Sequence, residues 1–200
     1  ALYGETRDAA RTQRTEPMPL PRPSPGDQRR PYLPRAIPVA PDRGEPRIPG
    51  YDAPAAEAAM SAAMRFVMVD GSTATAVGRI EPGSADAFER FLETEGNGVE
   101  RVILHSPGGA VSDALRMARL VRERGLKTDV PADGYCASAC PLVLAGGIER
   151  HAGEGAWVGV HQVYALSQTG RGPVDADASI ADVQATIAQC QQLLIEMGVD

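Results

Sequence analysis

Apolar residues follow two different spacings in the part of the chain after Met60. Runs of strand length predict β-strands at Arg65–Val69, Thr73–Val77, Val99–Leu104, Leu126–Val130 and Ala156–His161. Between these runs, apolar residues recur every three or four positions, which predicts amphipathic helices. Because predicted strands and helices alternate, the pattern indicates an α/β fold.

The helical spacing predicts three main helices. The first has Ser84 as its N-cap and continues to Gly96, and the second begins near Ala110 and ends at Gly125. The third ends at Gly198 and has one apolar stripe, which is formed by Ile180, Val183, Ile187, Cys190, Leu194 and Met197.

The N-terminal quarter follows neither spacing. Twelve of the 17 prolines precede Ala55, and proline interrupts helices and central strands. We therefore predict that residues 1–54 are a disordered, Pro-rich tether without packed core contacts and that residues 55–200 are the folded domain. A plain linker is favoured over a partner-binding motif.

Charge and cysteine content exclude several classes of protein. The net charge is −6, and residues 55–200 contain eleven basic and nineteen acidic side chains, so a nucleic-acid-binding domain is not expected. No apolar run reaches the roughly 18–20 residues of a membrane helix, so we expect membrane attachment only through an anchor not present in this chain. The three cysteines and three histidines lack zinc-site spacing, so neither a metal nor another cofactor is expected.

A pair of glycines lies between the third predicted strand and the second predicted helix. The segment is Ser106-Pro107-Gly108-Gly109, and its N–H groups would face outward at a helix N-terminus. Such groups can hold an oxyanion or a phosphate. An ordinary tight turn has the same residues, so that alternative stays open.

A second unusual segment surrounds Ser138. It has the sequence Gly-Tyr-Cys-Ala-Ser-Ala-Cys-Pro, and the proline predicts a helix that begins close to the serine. Ser138 is thus a candidate nucleophile or a simple N-cap. His161 follows it by 23 residues at the end of a predicted strand and is the candidate base, with His105 and His151 as competitors.

The order and spacing of these motifs resemble the proteolytic subunit of the Clp protease and its relatives in the ClpP/crotonase superfamily. The segment Cys-Ala-Ser-Ala-Cys also resembles a group of uncharacterised bacterial proteins of that superfamily, which are usually predicted to be periplasmic. The resemblance covers about Arg65 to Asp200. It implies an α/β fold of the ClpP/crotonase type, a superhelix of repeated ββα units.

The resemblance also assigns roles to particular residues. It implies that Ser138 is the nucleophile, that His161 is the general base, and that the oxyanion hole is formed by the N–H groups of Gly109 and Ala139. It further implies that an extended peptide binds as an added strand along Gly108, Ala110, Val111 and Ser112.

These roles predict a serine hydrolase that cleaves peptide bonds by acyl transfer. The alternatives are a non-catalytic peptide-binding module and, less favoured, a crotonase-like acyl-CoA enzyme. The expected partners are an extended peptide or protein substrate and, as in the family, further copies of the chain. The third-helix stripe could equally pack on the chain's own sheet. We expect a periplasmic or cell-envelope location, with the cytoplasm as the alternative.

The acid of the triad has no matching residue. In the family it lies several tens of residues after the histidine, whereas Asp175, Asp177 and Asp182 come too early. We therefore expect a Ser138–His161 dyad that reacts slowly, with the outer imidazole nitrogen facing water, a backbone carbonyl or a residue outside this chain. Lys127 is the only lysine and precedes the serine, which disfavours a Ser-Lys dyad.

Two cysteines flank the candidate nucleophile. Cys136 and Cys140 could form a disulfide across one turn, because a Cα separation of about 6 Å is suitable. They could also be two small buried thiols. A cysteine nucleophile is disfavoured, since neither cysteine occupies the position of the family serine.

Overall fold

The computed structural model describes residues 46–51, 58–161 and 176–199. In these ranges the strands are β1 Arg65–Met68, β2 Thr73–Val77, β3 Arg101–His105, β4 Lys127–Val130, β5 Tyr135–Ala137, β6 Arg150–Ala152 and β7 Trp157–Gly159. The helices are α1 Ser84–Glu93, α2 Val111–Glu123, α3 Cys140–Gly146 and α4 Ala176–Glu196. The predicted α/β class is confirmed.

The described strands form two sheets. The larger has the order β1-β2-β3-β4-β6, in which β1 is antiparallel to β2 and the other neighbours are parallel. The smaller consists of β5 and β7, which are parallel. Ser106, the residue after β3, forms a parallel bridge with Cys136 of β5, so the two sheets are joined beside the glycine pair.

The core lies between the larger sheet and the helices packed against it. Phe88 of α1, Leu104 of β3 and Val121 of α2 are fully buried. The rings of Phe66 and Phe88 pack in a tilted arrangement with their centroids 4.9 Å apart. Burial of large side chains from β3, α1 and α2 fixes the helices on the sheet, because apolar burial is the main favourable term in folding.

The N-terminus of α1 is capped differently from our expectation. Gly83, with φ 95°, is the N-cap, and Ser84 is the first helical residue, whose Oγ accepts a hydrogen bond from the Glu81 N–H at 2.8 Å. An α2 side chain, Asp113, supplies the missing acceptor, because its Oδ1 accepts from the N–H groups of Gly83 and Ala85. Helices α1 and α2 are therefore linked by a buried carboxylate.

Among the described residues of α4, only those near its C-terminal end are buried against other helices. Leu193 and Met197 are buried against α2 and α3 rather than against the sheet. On the same helix, Ile187 of the predicted stripe is 37% exposed, and Ile195, which lies outside that stripe, is 70% exposed. The predicted stripe is thus only partly covered by the described residues.

The expectation that residues before about Pro54 lack packed contacts is wrong for Ile48. Its side chain is 3% exposed and forms a small cluster with Val77 of β2, beside Tyr51 and Ala59. Proline excludes regular helix and strand here, but it does not prevent a single apolar side chain from packing in an irregular segment. The rest of the predicted tether, residues 1–45, and residues 52–57 lie outside the described residues.

Removing this contact should destabilise the domain. We expect Ile48→Ala to lower the free energy of unfolding by about 2–5 kcal/mol, because it deletes buried methyl groups and leaves a cavity beside Val77. The matched control is the neighbouring exposed Arg47, whose change to alanine should cost less than about 0.5 kcal/mol. Equal urea midpoints for the two variants would contradict the packing of Ile48.

Candidate active site

The pairing of β5 with β7 brings the serine and histidine segments together. Ala137 is opposite Gly159 in the parallel register, so both strands end at the same edge. The N–H of Ser138 continues the pairing by donating to the Gly159 carbonyl at 2.8 Å. A separation of 23 residues in the chain thus becomes direct contact in space.

The Ser138 hydroxyl and the His161 imidazole are within hydrogen-bonding distance. The distance from Oγ of Ser138 to Nε2 of His161 is 2.7 Å. Ser138 is half-buried, whereas His161 is exposed. This geometry suits transfer of the hydroxyl proton to the imidazole during attack on a carbonyl.

The backbone at Ser138 has an unusual conformation. Its φ is 61°, in the left-handed region that non-glycine residues rarely adopt. Ser138 lies between the end of β5 and the first residue of α3, and Ala139 rather than Ser138 is the N-cap. The N-cap alternative for Ser138 is therefore wrong: its Oγ is directed to His161, and the tight turn presents the hydroxyl at the edge of the sheet.

Two backbone N–H groups next to this serine have no acceptor among the described residues. They belong to Gly109 and Ala139. The glycine loop lies against the serine turn, because a Cβ atom added to Gly108 would be 2.7 Å from Cβ of Ser138. Two such N–H groups beside a serine hydroxyl can stabilise the negative charge that develops on a carbonyl oxygen under attack.

Glycine is required at both positions of the pair. Gly108 has φ 84° and Gly109 has φ 142°. A Cβ on Gly108 would lie 2.4 Å from the Ala137 carbonyl oxygen, and one on Gly109 would overlap the Ile80 carbonyl oxygen. The close approach of backbone to backbone, rather than the turn alone, explains the Pro-Gly-Gly sequence.

Ser106 contributes to this loop, and the sequence analysis did not single it out. Its N–H donates to the Tyr135 carbonyl, its carbonyl accepts from the Ala137 N–H, and its buried Oγ accepts from the Gly108 N–H at 3.0 Å. A serine two residues before a glycine in a turn is a signal for this kind of side-chain bond. Ser106 thereby fixes the glycine loop to β5.

The predicted peptide-binding segment has one face already in use. The Ile80 N–H donates to the Gly108 carbonyl, and the Ala110 N–H donates to the Ile80 carbonyl. In parallel pairing of this kind, the intervening residue directs its own N–H and C=O to the opposite side, so those of Gly109 face away from Ile80. Val111 and Ser112 lie in the first turn of α2, where N–H groups have no intrahelical acceptor.

A disulfide bond joins the two cysteines that flank Ser138. The Cα atoms of Cys136 and Cys140 are 5.2 Å apart, and both residues are fully buried. Cys190, on α4, is a free thiol, and burial raises its pKa. The bond links the middle of β5 to the first residue of α3.

The competing histidines have other partners. His105 is fully buried, and its Nδ1 accepts from the Tyr135 N–H at 3.1 Å. His151 is exposed, and its Nδ1 lies 2.7 Å from Oδ1 of Asp129.

The described residues contain no group of three acidic, histidine or cysteine side chains that could hold a metal ion. Of the three acids considered for the triad, Asp175 lies outside the described residues, the side chain of Asp177 is not described, and Asp182 is exposed on α4.

Comparison with known proteins gives a fold but no sequence family. No family model and no curated protein matches the chain. Among solved structures, a ClpP1 mutant from Listeria monocytogenes is similar with a TM-score of 0.52 and 15% identity over 64% of this chain and 72% of its own. This similarity confirms the predicted ClpP/crotonase fold.

Two other solved structures match more weakly. A mutant of the 1510-N membrane-bound stomatin-specific protease has a TM-score of 0.41 and 19% identity over 60% of this chain and 61% of its own. The ClpP catalytic domain from Plasmodium falciparum has a TM-score of 0.41 and 16% identity over 64% and 69%. The chain therefore spans less than two thirds of the stomatin-specific protease. None of the described helices is long and apolar enough to cross a membrane.

The close approach at Gly108 predicts a large cost for any side chain there. Gly83 is a matched control, because its φ of 95° is equally unusual but an added Cβ would meet open space. We expect Gly83→Ala to lower the free energy of unfolding by about 1–2 kcal/mol from backbone strain alone. Gly108→Ala should cost about 1–3 kcal/mol more, because the Ser138 turn must move. Equal costs in urea unfolding would contradict this contact.

Proposed function

We propose that this chain is a serine hydrolase that cleaves peptide bonds. The observation that carries the proposal is the 2.7 Å contact between Ser138 Oγ and His161 Nε2. The serine has a left-handed backbone conformation and lies beside the N–H groups of Gly109 and Ala139, which have no acceptor among the described residues. A hydroxyl, an imidazole and two backbone donors are the groups that acyl transfer needs.

The reaction would proceed in two stages. His161 takes the proton of Ser138 as the hydroxyl oxygen attacks the substrate carbonyl, and the N–H groups of Gly109 and Ala139 stabilise the resulting oxyanion. His161 then gives the proton to the leaving amine, which departs and leaves an ester on Ser138. Water attacks this ester with His161 again as base. The imidazolium then returns the proton to the serine oxygen as the bond between that oxygen and the acyl carbon breaks, which releases the acid and restores the hydroxyl.

An extended peptide is the substrate class that the glycine loop favours. The outward C=O of Gly109 and the first-turn N–H of Val111 can pair with the backbone of an added strand, while the Gly109 N–H faces the carbonyl under attack. Gly108 and Ala110 would support that strand from behind through their bonds to Ile80, and Ser112 would lie at its exposed end. Backbone pairing places little demand on side chains, so we expect broad sequence tolerance.

The test of the nucleophile is reaction with a fluorophosphonate probe. We expect slow, stoichiometric labelling of the unmodified protein and none of Ser138→Ala, because the probe forms its bond with the serine oxygen. Ser61→Ala is the control, since Ser61 is exposed and its hydroxyl donates only to a nearby carbonyl. Changing His161 to glutamine should slow labelling by about 10²–10⁴-fold, because the base is lost.

His151 provides a matched control for the base. It is also exposed and also makes a 2.7 Å side-chain contact, but with Asp129. His151→Gln should therefore label at the unmodified rate. Absence of labelling, together with retained binding of extended peptides, would favour a non-catalytic binding module. Binding of a CoA thioester instead would favour the crotonase-like alternative.

We also propose that the protein works in an oxidising compartment, such as the periplasm or cell envelope. The support is the buried disulfide, because such bonds persist mainly outside the cytoplasm. Protein trapped with a thiol reagent in its native compartment and then unfolded should contain one reactive thiol, Cys190. Three reactive thiols would remove the support that the disulfide gives to this location.

A further inference from the structure

The disulfide occupies a special place in the site. Cys136 and Cys140 lie two residues before and two residues after Ser138, so the covalent bond closes the turn that contains the nucleophile. Cys136 lies in β5 and forms the bridge with Ser106. Cys140 is the first residue of α3 and directly follows Ala139, whose N–H has no acceptor among the described residues. A change in the distance between these two cysteines would move the hydroxyl and this N–H together.

The turn needs external support because its backbone is strained. A left-handed serine is less stable than the same residue in an extended or helical conformation. The hydrogen bonds from Ala137 to Ser106 and from Ser138 to Gly159 hold the side of the turn nearest β5. On the other side, α3 has only seven residues and no side-chain cap at its N-terminus.

We propose that Cys136 and Cys140 are positioning residues, whose disulfide holds Ser138 in its left-handed conformation and keeps its hydroxyl in register with the Ala139 N–H. This inference rests on the proposed function of Ser138 as nucleophile. The cysteines do not touch the reacting atoms and act through the backbone between them.

The burial of the bond argues for a permanent structural disulfide rather than a redox-active pair. Both cysteines are fully buried, and thiol–disulfide exchange requires access of a thiolate to one of the sulfurs. Cys190 is distant in sequence on α4, and its raised pKa lowers its thiolate fraction. The disulfide should therefore persist through the folded lifetime of the protein.

The first test measures the backbone directly and needs no catalysis. In the double variant C136A/C140A, the Ser138 N–H should exchange with deuterium at least about tenfold faster than in the unmodified protein, because its bond to Gly159 opens more often. Cys190→Ala is the control and should leave this exchange unchanged. Unchanged protection of Ser138 in the folded double variant would overturn the inference, whether or not the protein is an enzyme.

The second test separates positioning from general stabilisation. At a temperature where both proteins are fully folded by circular dichroism, the double variant should react with the fluorophosphonate at least about tenfold more slowly at saturation, with half-saturation changed less than about twofold. A lower melting temperature with an unchanged saturated rate would show a merely structural role and overturn the inference. Failure of the unmodified protein to label would overturn the proposed function instead. The exchange test would still show whether the disulfide holds the Ser138 backbone in place.

A volume-conserving comparison covers the case in which the double variant does not fold. Protein unfolded, reduced and refolded in a phosphine reductant retains both sulfur atoms as thiols, so the core volume is kept. Carried out in the Cys190→Ala background, this reduced protein should show the same faster exchange and slower labelling. Unfolding, reoxidation and refolding should return the exchange and the labelling to the rates of the oxidised protein. Equal exchange of the Ser138 N–H and equal labelling rates in the reduced and oxidised protein would contradict a positioning role for the disulfide.

Discussion

The parallel pairing of β5 with β7 is the interaction on which the site depends. Each strand has only three residues, yet the pairing sets Ser138 beside the chain that ends at His161. The single bond from the Ser138 N–H to the Gly159 carbonyl extends the ladder past the last strand residue. Without that register, the hydroxyl and the imidazole would not lie at a common edge.

A second constraint is the close contact between two loops that come from different sheets. The glycine pair follows β3 of the larger sheet, and the serine turn follows β5 of the smaller one. Ser106, directly after β3, bonds to β5 and to Gly108, and the absence of a side chain at Gly108 allows the backbones to meet. The N–H groups of Gly109 and Ala139, which have no acceptor among the described residues, therefore follow strands of different sheets, and the proposed oxyanion hole would depend on both.

The long, periodic elements were predictable from the sequence, as were the short β7 and α3 at the site, whereas β5 and β6 were not. The strand and helix that contain Leu104 and Val121 show clear apolar spacing, and the structure has both. Strands β5 and β6 have three residues each, too few for any period to show, and were missed. The left-handed backbone at Ser138 leaves no mark in residue type, because serine gives no signal of positive φ. The burial of Ile48 was missed for a similar reason, since one apolar residue among prolines has no pattern.

The conformation of Ser138 implies a conflict between the stability of the fold and its chemistry. A glycine would adopt the same φ of 61° without the penalty of about 1–2 kcal/mol that a Cβ atom incurs in the left-handed region. For folding alone, therefore, the optimal residue at this position is one without a hydroxyl. The serine makes the turn less stable than it could be, and the proposed reaction at its oxygen would compensate for that loss during selection.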